Sequence, residues 1–177
     1  MLGGRIDVLV NSASIYPART TAATSGTDFD QVYAVNVKAP FFLVAAIAPA
    51  MTKRGSGAII NIGSWIARPG IPDAPLYSST KGAIETLTRA WAAEFGPAGV
   101  RVNAISPGVI RTPSLAETNI AGRSAAPMMR GTPAGDAGTP DAIGHAAVYL
   151  ASDEAAFVHG TIIDVDGGRT NIAVMAN

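Results

Sequence analysis

The sequence predicts a doubly wound α/β fold, a parallel sheet with helices on both faces, and three observations carry that expectation. Short β-branched and apolar runs alternate with helical segments along the chain, which implies parallel strands joined by helical crossovers. The runs are mostly apolar, as in strands buried on both faces. Residues rich in Gly, Ser and Asn follow the runs, at the strand ends where open parallel sheets bind ligands.

Ile6-Asp7-Val8-Leu9-Val10 is the first expected strand. Residues 28–51 read as a helix, bent near Asn36 and Pro40 and capped by Thr27 or Ser25. Gly55-Ser56-Gly57 forms a turn, and Ala58-Ile59-Ile60-Asn61-Ile62 a second buried strand. The clearest helix covers residues 75–95, where Leu76, Ala83, Ile84, Leu87, Trp91 and Phe95 make an apolar stripe near period 3.6. Gly96-Pro97 ends it. Val100-Arg101-Val102-Asn103-Ala104-Ile105 is the third strand. Residues 111–138 are rich in Ala, Pro, Gly and Thr without clear periodicity, and so long a loop is expected to be a substrate lid. Residues 141–151 form the last helix, opened by Thr139-Pro140, and Thr161-Ile162-Ile163-Asp164-Val165 the last strand. With no repeat or linker, the expectation is a single domain over residues 1–177, with the lid inside it.

Composition narrows the function classes. Hydrophobic residues make up 48% of the 177 residues and charged residues 15%, well below the usual quarter. A surface so poor in charge points to burial against other chains, hence a homo-oligomer, dimer or tetramer. Thirteen basic residues balance thirteen acidic ones, with no charge run, which argues against nucleic acid as a partner. There is no cysteine, so no disulfide and no thiolate metal site; a cytoplasmic location fits. No signal peptide is visible. The longest apolar run, residues 39–51, is too short to span a membrane and reads as a buried helix, so no membrane partner is expected. Asp7, Asp164 and Asp166 are too scattered to suggest a metal, and His145 and His159 read as structural or exposed.

Tyr77-Ser78-Ser79-Thr80-Lys81 carries the chemistry, with Ser64 thirteen positions upstream. Residues four apart on a helix share a face. An ammonium beside a phenol is expected to lower a pKa that ordinarily lies near 10. Such a pair can move a proton to or from an alcohol or carbonyl oxygen, and a strand-end serine can hold that oxygen.

These residues, with others spread along the whole chain, resemble the short-chain dehydrogenase/reductase family of the ordinary single-domain type. Asn11-Ser12-Ala13-Ser14 stands where that family has Asn-Asn-Ala-Gly. Val35-Asn36-Val37, Asn61-Ile62-Gly63-Ser64 and Tyr77 with Lys81 match its catalytic positions, and Asn103 to Thr112 its cofactor loop. Leu150-Ala151-Ser152-Asp153 and Val165-Asp166-Gly167-Gly168 match its C-terminal end. The resemblance implies a Rossmann-like sheet and hydride transfer between NAD or NADP and a small-molecule carbonyl or secondary alcohol. It makes Tyr77 the general acid/base, Ser64 the residue that holds the substrate oxygen, and Lys81 the partner of the nicotinamide ribose. Asn36 is implied to hold a water leading from Lys81 to solvent, with a purely structural helix bend as its rival. Asn11 and Ala13 are implied on the adenosine side, and Pro107, Gly108, Ile110 and Thr112 around the nicotinamide. Ile15, Trp65, Ile66, Ile110 and the Met128-Met129 pair suggest an apolar substrate pocket.

The front of the family pattern has no match. Its strand, Gly-rich turn and helix, which hold the cofactor pyrophosphate, are not found, and Gly3-Gly4 is no substitute. The chain resembles strands four to seven with their helices, the C-terminal part only. That leaves about 60–80 residues unmatched at about 30 per βαβ unit, and the expectation is a truncated start. The strand at residues 6–10 then becomes an apolar edge. An inactive truncated fragment, acting only through oligomer contacts of the residue 36–51 and 77–95 helices and the last strand, is the alternative. Neither substrate identity nor the choice between NAD and NADP can be read.

Overall fold

In the computed structural model, residues 4–111 and 128–172 are described. Strands β1 (Val8–Asn11), β2 (Gly57–Ile62), β3 (Val100–Pro107) and β4 (Ile162–Val165) form one sheet in the order β1-β2-β3-β4, every neighbouring pair parallel. The helices between them are α1 (Gly26–Tyr33), α2 (Ala39–Arg54), α3 (Pro75–Phe95) and α4 (Pro140–Ala151).

Alternation along the strands sends side chains into two cores. Ile59 on β2 and Val100 and Val102 on β3 pack with Val44, Ala48 and Met51 of α2 and Trp91 of α3. Their neighbours Ile60 and Ile105 face the other way, against Leu150 of α4 and Ala155. Helices therefore cover both faces, and the apolar runs of β2 and β3 follow from that double burial. Among the described residues β1 has one strand neighbour, so it lies at the edge as expected, and Val8 and Val10 are 41% and 44% exposed.

Ser25 caps α1 in a reciprocal box, its hydroxyl accepting from Asp28 N while the Asp28 carboxylate accepts from Ser25 N. The helix thus begins two residues before the expected Asp28. Between α1 and α2 lies a π-helical turn, Ala34–Lys38, which accounts for the predicted bend. Pro40 sits in the first turn of α2 and has no N–H to return to the carbonyl four residues back, so a wider turn precedes it. The helical run Gly26–Arg54 spans 29 residues and is long and apolar enough to cross a membrane by length and composition alone. Here it packs on the sheet through Val44, Ala48 and Met51. Residues 39–51 are not the wholly buried helix expected, because Phe41, Phe42 and Leu43 are exposed. The α2 helix covers one face of the sheet, and these three side chains on its outer side stay exposed among the described residues.

Candidate active site

The C-terminal ends of β1, β2 and β3 and the first turns of α3 enclose a cavity of about 550 Å³. Ser64 follows β2 in extended backbone and starts the short 3₁₀ turn Trp65–Ala67, its hydroxyl accepting from Ile66 N at 3.4 Å. Tyr77 lies in the first turn of α3, which Pro75 opens. Ser14, from the segment after β1, and Ser64 share the cavity with the Tyr77 phenol, and both hydroxyls favour its ionised form. Lys81, one turn further along α3, is 3% exposed and donates from Nζ to Ile62 O at 2.8 Å. Ser64, Tyr77, Lys81, Pro107, Gly108 and Ile110 all line this one cavity. Gly108 cannot carry a side chain, because a Cβ there would stand 2.5 Å from Asp166 Cα.

Electrostatics depart from the expectation that Lys81 lowers the Tyr77 pKa. Burial raises the Tyr77 pKa above its ordinary value, outweighing the Ser14 and Ser64 hydroxyls, which pull it down. The ammonium does not point at the phenol oxygen: Nζ is turned to Ile62 O and lies 5.5 Å from the centre of the Tyr77 ring. Burial also lowers the Lys81 pKa to about 8.

Asn36 is buried in the π-helical turn and its carboxamide makes three hydrogen bonds. Nδ2 donates to Ile15 O at 3.0 Å and Thr80 Oγ1 at 3.2 Å, while Oδ1 accepts from Ile15 N at 2.9 Å. The bend reading therefore has a specific cause: Asn36 fastens the segment after β1 to α3.

Other expected residues fall outside the cavity lining. Asn11 turns into the sheet, donating to Asn61 Oδ1 at 2.8 Å, and Ala13 is exposed. Ile15 is half-buried and gives its backbone to Asn36, while its neighbour Tyr16 lines the cavity. The Tyr16 ring meets the Tyr77 ring edge-on, 4.6 Å between centres. Sequence reasoning did not single out Tyr16; its place beside Ile15 in the segment after the first strand was the available signal. Trp65 and Ile66 form the apolar wall expected, with Met128 packed against them and Met129 buried nearby. Thr112, and residues 112–127 of the expected lid, lie outside the described residues. His145 and His159 are exposed.

A cation network stiffens the Ser64 turn from behind. Arg68 donates to both carboxylate oxygens of Asp164 at 2.6 Å and lies 3.6 Å from Glu85. The Arg169 guanidinium covers the Trp65 ring at 4.3 Å. These pairs tie the turn to β4 and α3.

The arrangement matches known proteins closely. A family profile described as Enoyl-(Acyl carrier protein) reductase matches residues 2–170. The chain is similar to the cyclopentanol dehydrogenase of Comamonas sp. (strain NCIMB 9872), 37% identical over 166 residues, covering 94% of this chain and 66% of that protein. It therefore spans about two thirds of the length of the curated relatives it matches. Among solved structures, a gluconate 5-dehydrogenase from Burkholderia cenocepacia J2315 in complex with NADP and tartrate superposes with a TM-score of 0.89 at 34% identity, covering 97% of this chain and 68% of the other. A 4-hydroxyisoleucine dehydrogenase complexed with NADH gives 0.82 at 34% identity, covering 93% and 69%.

Lys81 supplies a titration that reports on this geometry. Its folded-state pKa of about 8 lies below the ordinary 10.5, so between those values the unfolded chain holds the extra proton. Stability then rises with pH across that window, by about 3 kcal/mol at 1.36 kcal/mol per unit. Carbon NMR of the lysine side chains should show one midpoint near pH 8, absent from Lys81→Met, whose stability loses this rise. A Lys81 midpoint above 10 would contradict the burial described.

With the parallel sheet, the Ser64–Tyr77–Lys81 cavity and these matches together, the chain belongs to the short-chain dehydrogenase/reductase family.

Proposed function

We propose that the protein transfers a hydride between a nicotinamide cofactor, NAD or NADP, and a small-molecule carbonyl or secondary alcohol, with Tyr77 as general acid/base. The observation that carries this reading is the convergence of the Ser14, Ser64 and Tyr77 hydroxyls in one cavity with the Lys81 amine at its edge. The likeness to dehydrogenases in complex with NADP and with NADH supports the cofactor class.

The residues present fit the nicotinamide end of such a cofactor. Lys81 has three donors, and Ile62 O takes one of them among the described residues, so two remain for ribose hydroxyls. Gly108 keeps the backbone bare beside Pro107 and Ile110, where the nicotinamide would lie. When bound, the cofactor supplies or accepts the hydride. The chain's own residues do the rest. Ser64 holds the substrate oxygen by a hydrogen bond and so fixes the carbonyl beside the phenol. Tyr77 Oη gives its proton to that oxygen in reduction and takes it back in alcohol oxidation. A raised Tyr77 pKa keeps the phenol protonated at neutral pH, which favours reduction there; oxidation needs the phenolate and gains with rising pH. The walls of Trp65, Ile66 and Met128 exclude water. Asn36 acts as a positioning residue by holding the Ser14-bearing segment against α3.

Tyr77→Phe should lower reduction of a ketone by NADH or NADPH about 10²–10⁴-fold, the usual share of a positioned acid/base, with an unchanged thermal melt. Unchanged turnover in Tyr77→Phe would overturn the assignment.

We further propose a homo-oligomer, dimer or tetramer. Phe41, Phe42 and Leu43 on the outer side of α2 are 43%, 59% and 47% exposed, and Val148 on α4 is 70% exposed. Apolar surface of this kind is ordinarily covered by another chain. Sedimentation velocity should give a dimer or larger, and Phe42→Glu should shift it towards monomer. A wild-type monomer at micromolar concentration would refute this.

A further inference from the structure

Tyr77 is held in the cavity by more than its own helix, and what holds it bears on the acid/base reading above, on which this inference rests. A tyrosine on a helix has two χ1 wells open to it, and only one of them can hold the phenol at a given point of the cavity. Lys81 does not make that choice, since its Nζ is turned to Ile62 O and lies 5.5 Å from the ring centre. The cluster of Trp65, Ile66 and Ala74 packs against the Tyr77 ring. The Tyr16 ring meets it as well, with 4.6 Å between centres and 80° between planes. Nearly perpendicular rings whose centres lie about 4.5–7 Å apart attract, because the positive edge of one faces the negative face of the other.

Tyr16 is set for this contact by both of its neighbours in sequence. Before it, Ile15 gives both backbone groups to Asn36, at 2.9 and 3.0 Å. After it comes Pro17, whose ring disfavours helical backbone at residue 16 and keeps it extended. Among the described residues Tyr16 joins none of the three apolar clusters, and its ring contact is with Tyr77. A ring left 36% exposed adds little to the core; its packing goes to the residue that moves the proton. The contact is not one of charge at neutral pH. Burial, and after it Asp73, raise the Tyr16 pKa, and the Tyr77 pKa is raised too, so both phenols keep their protons. An ionised Tyr16 would push the Tyr77 pKa further up, against the downward pull of the Ser14 and Ser64 hydroxyls.

We propose that Tyr16 is a positioning residue that keeps the Tyr77 ring in one χ1 well within the cavity. It acts by ring packing, so phenylalanine can stand in for it and a side chain without a ring cannot.

The test reads Tyr77 itself, by NMR of the full chain with carbon-labelled tyrosine, and needs neither cofactor nor turnover. Tyr77→Phe identifies the Tyr77 signals. A cooperative melt establishes first that each sample is folded; should Tyr16→Ala fail this, Tyr16→Leu, which keeps bulk without a ring, takes its place. In the natural chain the three-bond couplings should place Tyr77 in a single χ1 well. Tyr16→Ala should average them over two wells and lower the midpoint of phenol ionisation, because water then reaches the Tyr77 ring. Tyr16→Phe should keep the single well, with a midpoint between the other two, since it removes only the charge that Tyr16 acquires at high pH. A Tyr16 that merely stabilised the fold would lower the melt and leave the Tyr77 couplings unchanged. The proposal is overturned if the folded Tyr16→Ala or Tyr16→Leu chain keeps Tyr77 in one well, or if Tyr16→Phe averages it as fully as Tyr16→Ala does. Unchanged turnover in Tyr77→Phe would remove the acid/base reading without touching these couplings, so the two failures are distinct.

Discussion

The Asn36 carboxamide, bonded at once to both backbone groups of Ile15 and to Thr80, is the constraint on which the site's geometry depends. The segment after β1 follows an edge strand whose pairing, among the described residues, ends at Asn11. Asn36 gives it one, and by fixing Ile15 it places Ser14 and Tyr16 on either side. The same amide reaches Thr80, one residue before Lys81 and three after Tyr77. A buried amide that satisfies two backbone groups and a hydroxyl cannot be removed without leaving them unpaired. The π-helical turn Ala34–Lys38 is what lets the side chain stand there.

Burial sets the proton chemistry of this site more than charge does. Tyr77 and Lys81 are neighbours on α3, yet each responds chiefly to loss of water: the phenol is harder to ionise, and the amine is harder to keep charged. Both shifts favour neutral forms. Hydroxyls of Ser14 and Ser64 act in the opposite direction on Tyr77. The same desolvation makes an unpaired substrate charge costly.

Much of the fold was legible because burial is written as pattern. The apolar stripe of residues 75–95 defined α3 to the residue, and the largely apolar runs placed β2 and the body of β3. What local pattern missed was set by partners. Strand β3 continues through Ser106 and Pro107 because β4 pairs with them, and α1 starts early because Ser25 and Asp28 close a box across its first turn. Spacing and family likeness brought Ser64, Tyr77, Lys81, Pro107, Gly108 and Ile110 to one cavity. Loop segments have no such periodicity, so Ile15 stood in for Tyr16, and the Asn11–Asn61 side-chain bond between β1 and β2 was not foreseen. The expected effect of Lys81 on Tyr77 failed for a related reason: helix spacing fixes which residues are adjacent, but Ile62 O decides where the ammonium points.

Hydrogen exchange at the Ile15 amide, compared between the natural chain and Asn36→Ala, tests this account most directly. If Asn36 holds the segment after β1, its loss should speed Ile15 exchange by about 10–100-fold, as loss of a bond worth about 1.5–3 kcal/mol implies. The close contact between the Tyr16 and Tyr77 rings, followed by nuclear Overhauser effects, should weaken with it, while amides of β2 and β3 keep their protection. Unchanged exchange at Ile15 with the ring contact intact would mean that the site is held by other forces, and the account would be wrong.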